Sequence, residues 1–139
     1  MQFSAAVLAL AASVAAQKPV FEISDFSAAC VAHGSECIYE FGLFQSGGYQ
    51  TEPQHCRAQV QTTDGTLPEV LDGTCEATSR TWTVTKADGG LVLEVTQQVT
   101  PASNTTGKHA IPASELELVQ AGASGYQQYT GPKEFGLFY

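Results

Sequence analysis

Between Cys30 and Cys37 the sequence reads CVAHGSEC, with His33 flanked by two cysteines seven residues apart. Three chemistries use such residues: a thiolate and imidazole metal site, a thiol nucleophile with an imidazole base, and a disulfide crosslink. Zinc sites made from cysteine and histidine present their ligands in close pairs a few residues apart, and the chain has no such pairs. A nucleophilic pair drawn from His33 or His55 needs an unpaired thiol, whereas Cys30, Cys37, Cys56 and Cys75 form an even set. His109 sits in a Gly- and Pro-bearing stretch without an acid at a suggestive spacing.

Hydrolytic chemistry leaves no stronger mark. GASGY at residues 122 to 126 lacks the Gly-x-Ser-x-Gly spacing of a nucleophile elbow. Glu115 and Glu117, the closest pair of glutamates, fall on one side of an alternating stretch, where solvent-facing carboxylates are ordinary. A hydrolase assembled in space from scattered Glu and His is the weakest of the readings. We assign no catalytic residue, no metal ligand and no cofactor, and expect a protein that is not an enzyme.

The compartment decides the fate of the cysteines. Met1 to Ala16 embeds Phe3, Val7, Leu8, Leu10 and Val14 in alanines, with no charge before Lys18. This stretch is too short to span a bilayer, and Val14-Ala15-Ala16 supplies the small residues of a cleavage site. It reads as a signal peptide over residues 1 to 16, cut before Gln17, leaving residues 17 to 139 as one secreted β domain. In an oxidising compartment four cysteines form two disulfides. Of the three pairings, Cys30 with Cys37 and Cys56 with Cys75 closes the shortest loops and is preferred; each bridge contributes about 2–4 kcal/mol. With 14 acidic against 6 basic residues and a formal charge of −8, the surface repels phosphate backbones and anionic headgroups, which excludes nucleic acid and membrane as partners.

Period-two alternation dominates the chain. FEISDF puts Phe21 and Ile23 on one face, and CIYEFGLF puts Cys37, Tyr39, Phe41 and Leu43 together. CRAQVQT from Cys56 to Thr62 turns Ala58 and Val60 inward. TDGTLPEVLDGT carries two Asp-Gly-Thr turns, at 64–66 and 72–74. Trp82 and Val84 lead through Asp88-Gly89-Gly90 into Leu91, Leu93, Val95 and Val99, a hairpin. TPASNTTGKHAIP reads as a loop. SELELVQ alternates again, with Leu116 and Leu118 on the apolar side, and the tail offers a last strand. No segment has helical spacing after the leader. Seven or so short strands predict an all-β fold, a small antiparallel β-barrel or sandwich with two disulfides.

Among the aromatics, Tyr49, Tyr126 and Tyr129 lie in expected loops and are the candidates for a ligand surface. Trp82 reads as core. Asn104-Thr105-Thr106 is an N-glycosylation acceptor.

Taken in order, FEISDFSAACVAHGSECIYEF, DGTLPEVLDGTCE, VTPASNTTGKHAIPASE and QQYTGPKEFGL resemble the fungal secreted hypersensitive-response-inducing, or elicitor, family. The resemblance runs through almost all of residues 17 to 139. It implies a two-disulfide β-barrel or sandwich related to the Alternaria major allergen fold, with Cys30, Cys37, Cys56 and Cys75 as its framework. It also implies release from the cell and perception by a plant host receptor or apoplastic protein. The alternative is an extracellular β-barrel that binds a glycan or small molecule.

Overall fold

The computed structural model describes residues 18–46, 52–76, 79–122 and 124–139. The leader expected over residues 1 to 16 and Tyr49 lie outside them. Ten strands form one antiparallel sheet: β1 (Phe21–Cys30), β2 (Glu36–Gln45), β3 (Gln54–Gln61), β4 (Val70–Cys75), β5 (Arg80–Ala87), β6 (Gly90–Thr100), β7 (Ser103–Ile111), β8 (Leu116–Ala121), β9 (Ser124–Tyr129) and β10 (Phe135–Leu137). A 3₁₀ turn, Ala113–Glu115, precedes β8.

From β1 to β7 the strands follow one another as a meander, each paired with its sequence neighbour. The sheet curls until its ends meet. β10 pairs with the first half of β1, Phe21 opposite Leu137, and Phe138 just beyond it pairs with Lys108 of β7. Lys108 N–H donates to Phe138 O at 2.6 Å and Phe138 N–H donates to Lys108 O at 2.9 Å, joining the two ends of the meander. The second half of β1 instead takes the β8–β9 hairpin as its neighbour, Ala29 opposite Gln128.

The inner face carries the alternation read from the sequence. Phe21, Ile23, Tyr39, Phe41, Leu43, Trp82, Val84, Leu91, Leu93 and Val95 are buried in one cluster. The Trp82 ring meets Phe41 edge-on at 5.0 Å and Tyr39 at 6.1 Å, while Phe26 touches Phe41, Phe135 and Tyr129. Polar tips find partners: Trp82 Nε1–H donates to Thr74 O at 2.9 Å and Tyr39 O–H to Pro68 O at 2.6 Å. Burying a large apolar side chain contributes about 1.5–3 kcal/mol. The filled interior therefore outweighs both crosslinks together as the source of the fold.

Several expectations are corrected. Only the first Asp-Gly-Thr is a turn, with Gly65 at φ 77°. The second lies inside β4, where Gly73 is buried beneath the Trp82 ring; a Cβ there would stand 2.3 Å from Trp82 Cδ2. The stretch read as a loop from Thr100 to Pro112 is mostly β7, paired along β6 from Leu91–Ile111 to Thr100–Ser103. Its hydrogen bonds come from β6, so its polar side chains need not signal a strand. Val99 and Leu118, expected on the apolar side, are 56% and 53% exposed: Val99 lies beyond Gln97, where the pairing of β6 with β5 ends, within a register shift against β7, and Leu118 lies opposite Gln127 in the β8–β9 hairpin. Glu115 belongs to the 3₁₀ turn, so it does not share a strand face with Glu117.

Gly73→Ala is expected to destabilise the protein by about 1–3 kcal/mol or more, since the indole must leave its rotamer or β4 must move. Urea unfolding followed by Trp82 fluorescence checks this, and an unchanged midpoint would contradict the close packing of β4 on the indole.

Candidate functional site

The cysteines are settled by strand register. Cys30 and Cys37 are direct cross-strand partners on β1 and β2, and Cys56 and Cys75 on β3 and β4, and each pair is bonded. No free cysteine remains. This matches the preferred pairing and removes any thiol nucleophile. Disulfides persist in oxidising surroundings, and among the described residues no helix is long and apolar enough to cross a membrane.

The three histidines do not meet at one site. His33 lies exposed in the β1–β2 turn with φ 58°, serving the reversal between the bonded cysteines. His109 on β7 stacks on Phe135 of β10 at 4.0 Å. Burial lowers its pKa and nearby Glu115 opposes the shift, so the ring stays neutral to lower pH than a free imidazole. His55 on β3 holds Glu40 of β2, Nε2 to Oε1 at 2.6 Å, with Arg57 Nε 3.9 Å from the second carboxylate oxygen. Residue spacing carries no sign of this pair, because Glu40 and His55 meet only through the β2–β3 register, where Glu40 faces Arg57 and Gly42 faces His55. Half-exposed ion pairs of this kind contribute little to stability. Among the described residues no group of three or more His, Cys, Asp or Glu is arranged to hold a metal ion.

Of the ligand-surface tyrosines, Tyr126 and Tyr129 both lie in β9 and pack, partly buried, against the core. Tyr129 sets its edge against Phe26 at 4.9 Å and donates its hydroxyl proton to Pro132 O at 2.5 Å. Burial, with a further contribution from Glu115, pushes its pKa up to about 12. Three residues apart on a strand, the two rings do not share a face. Asn104 is exposed on β7 opposite Gln98, rather than in the expected loop.

The interior holds side chains, so space for a ligand is on the outside. One cleft of about 460 Å³ lies over β1, β2 and β10, between Glu22, Phe44, Glu134 and Phe138. A second, of about 380 Å³, adjoins it around Asp25, Glu40 and His55, and Ser24 lines both. Another, of about 320 Å³, lies at Asp64, Lys86, Leu116 and Gln127.

Asp64 at that third cleft has a structural task. Its Oδ1 accepts from Thr66 N–H at 3.0 Å, Thr66 Oγ1 at 2.6 Å and Thr62 Oγ1 at 3.2 Å. This turn carries the wholly buried Leu67 into the core, where its N–H donates to Gln127 Oε1. Compared with models of protein families, with characterised proteins and with solved structures, the chain matches none.

The bonds from Thr66 hold the Asp64 pKa at about 2, below its ordinary 3.8. A carboxylate depressed on folding stabilises the native state above its unfolded pKa, and that contribution is lost as pH falls through the folded value. Between about pH 4 and 2 the melting temperature of Asp64→Asn is therefore expected to fall less steeply than that of the native chain, as read by circular dichroism. Parallel pH profiles would show that the turn bonds are not formed by the ionised carboxylate.

Proposed function

We propose that the chain is a secreted, non-enzymatic fungal effector or elicitor whose disulfide-stapled β domain is perceived by a plant host receptor or apoplastic protein. The observation that carries this reading is the pairing of a filled interior with two crosslinks between adjacent strands, which leaves the outer surface as the working part. An elicitor has to stay folded among extracellular proteases, and cleavage of the transiently open chain tracks how often it opens. Crosslinks that lower the entropy of the unfolded chain make that state rarer. The resemblance to the hypersensitive-response-inducing family, the leader-like N-terminus and the acidic surface support the same reading. In this setting Asn104, exposed on β7, carries the N-linked glycan.

A second reading, an extracellular glycan- or small-molecule-binding β-barrel, is favoured by the outer clefts rather than by an internal cavity. Native mass spectrometry of protein taken from culture medium separates the two, since a retained ligand mass supports the second.

Infiltration of purified protein into leaves tests the first. Native protein is expected to produce local cell death or a defence response. The reduced and alkylated chain, and the Cys56→Ser/Cys75→Ser variant held above its melting temperature before infiltration, are expected to lose it. A leaf that ignores the native protein rejects the elicitor reading, and an equal response to the unfolded chain rejects a folded epitope.

A further inference from the structure

The two adjoining clefts form a groove across the outer face of β1 and β2, with Pro19 at one side and Pro53 at the other. Two outer-face rings, Phe44 and Phe138, wall the first cleft, and carboxylates from Glu22 and Glu134 edge it; Phe135 also borders it, but its register opposite Ile23 and its ring contacts with Phe26 and His109 turn that side chain toward the core. Strand register builds this arrangement: Glu22 stands opposite Phe44 on β2 and opposite Gly136 on β10, and the missing side chain of Gly136 leaves room for Pro19 and the Phe138 ring, since a Cβ there would lie 2.7 Å from that of Pro19 and 3.3 Å from Phe138 Cε2. Ser24, two residues along on the same face, joins the clefts. Its Oγ is buried and has no hydrogen-bond partner among the described residues.

Charge selects the occupant. Glu22, Asp25 and Glu134 make no ion pair among the described residues, in contrast to Glu40, which His55 and Arg57 already share. Lys18 and Lys133 neighbour the groove in sequence, and among the described residues neither closes on a carboxylate. The polar atoms offered are therefore chiefly acceptors. A guanidinium carries only donors, so it can satisfy two carboxylates without burying an unmatched acceptor of its own. A sugar hydroxyl brings an acceptor with each donor, and an anion is repelled. The aromatic walls suit the apolar stem of an arginine or lysine and the flat face of a guanidinium. A formal charge of −8 on the whole chain steers such a segment toward it.

We propose that this groove is a docking surface for a basic segment of a partner protein, with an arginine or lysine side chain seated between Phe44 and Phe138 and its head group between Glu22 and Glu134. The inference deepens the elicitor reading by naming the chemistry of the partner, and rests on that reading only in taking the partner to be a protein.

The probe is a fluorescein-labelled octapeptide alternating arginine and alanine, titrated with the full secreted chain and followed by fluorescence anisotropy at about 50 mM salt, where surface charges are lightly screened. Saturable binding is expected, weakened at least tenfold in Glu22→Gln/Glu134→Gln and less than twofold in Asp72→Asn/Glu76→Gln. The second variant removes the same charge from the region of β4, three strands away from β1. Both variants alter exposed side chains, and unchanged melting temperatures confirm that they fold. Equal weakening in the two variants, no saturable binding, or displacement of the peptide by a neutral chitin oligomer overturns the proposal. The titration uses no plant tissue, so a leaf that fails to respond removes the elicitor reading and leaves the groove standing, while a flat titration does the reverse.

Discussion

One strand has to satisfy more neighbours than a straight strand can. β1 pairs with β2 along its length, with β10 over its first half and with β9 over its second. A register shift between Ser24 and Ser27 makes this workable: Asp25 adopts φ 49°, the strand bends, and the inward set passes from Phe21 and Ile23 to Phe26, Ala28 and Cys30 without exposing an aromatic ring. Bulges of this kind raise local twist and redirect side chains. At the bend, Phe26 N–H donates at 2.9 Å to Lys133 O, in the segment that leads into β10. The closing strand is thus positioned by the irregularity in β1. Closure also needs β7 to come near, and Gly107 permits it, since a Cβ there would lie 2.9 Å from that of Leu137.

From that closure follows the division between inside and outside. The inner face is consumed by packing, with Trp82, Tyr39 and the phenylalanines filling the space a ligand-carrying barrel would leave open. The crosslinks join strands that are already neighbours, so they add little new geometry. They act on the unfolded chain and on how seldom the sheet opens. Chemistry available to a partner is confined to the outer surface, and there the bend matters again: the groove shared by Ser24 lies where β1 changes direction.

Strands are legible in the sequence where strong apolar residues alternate and turns are short. Phe21 to Ile23, Cys37 to Leu43 and the Trp82 hairpin through Asp88-Gly89 were legible because burial on one face imposes period two, and Asp88 and Gly89 take the positive φ a two-residue turn requires. β7 was not, since only Gly107 and Ile111 are buried along it and its backbone is satisfied by β6. The two Asp-Gly-Thr tripeptides are identical in sequence yet one is a turn and the other a strand, because Gly73 pairs with Trp82 of β5 and lies beneath its indole, whereas Gly65 takes a positive φ against the backbone of Gly125. The Glu40–His55 pair and the groove were invisible for a related reason: both depend on register across strands, and the shift at Asp25 has no signature beyond the tolerance of aspartate for left-handed backbone.

The bend in β1 permits the closure on which the rest of the fold depends, and backbone amide hydrogen exchange tests that closure directly. The amides of Phe26, Lys108 and Phe138 are predicted to exchange as slowly as those of the β2–β3 ladder, as members of one closed sheet. Rapid exchange at these three positions, with β2 and β3 still protected, would show an open sheet whose ends do not meet and would contradict the account.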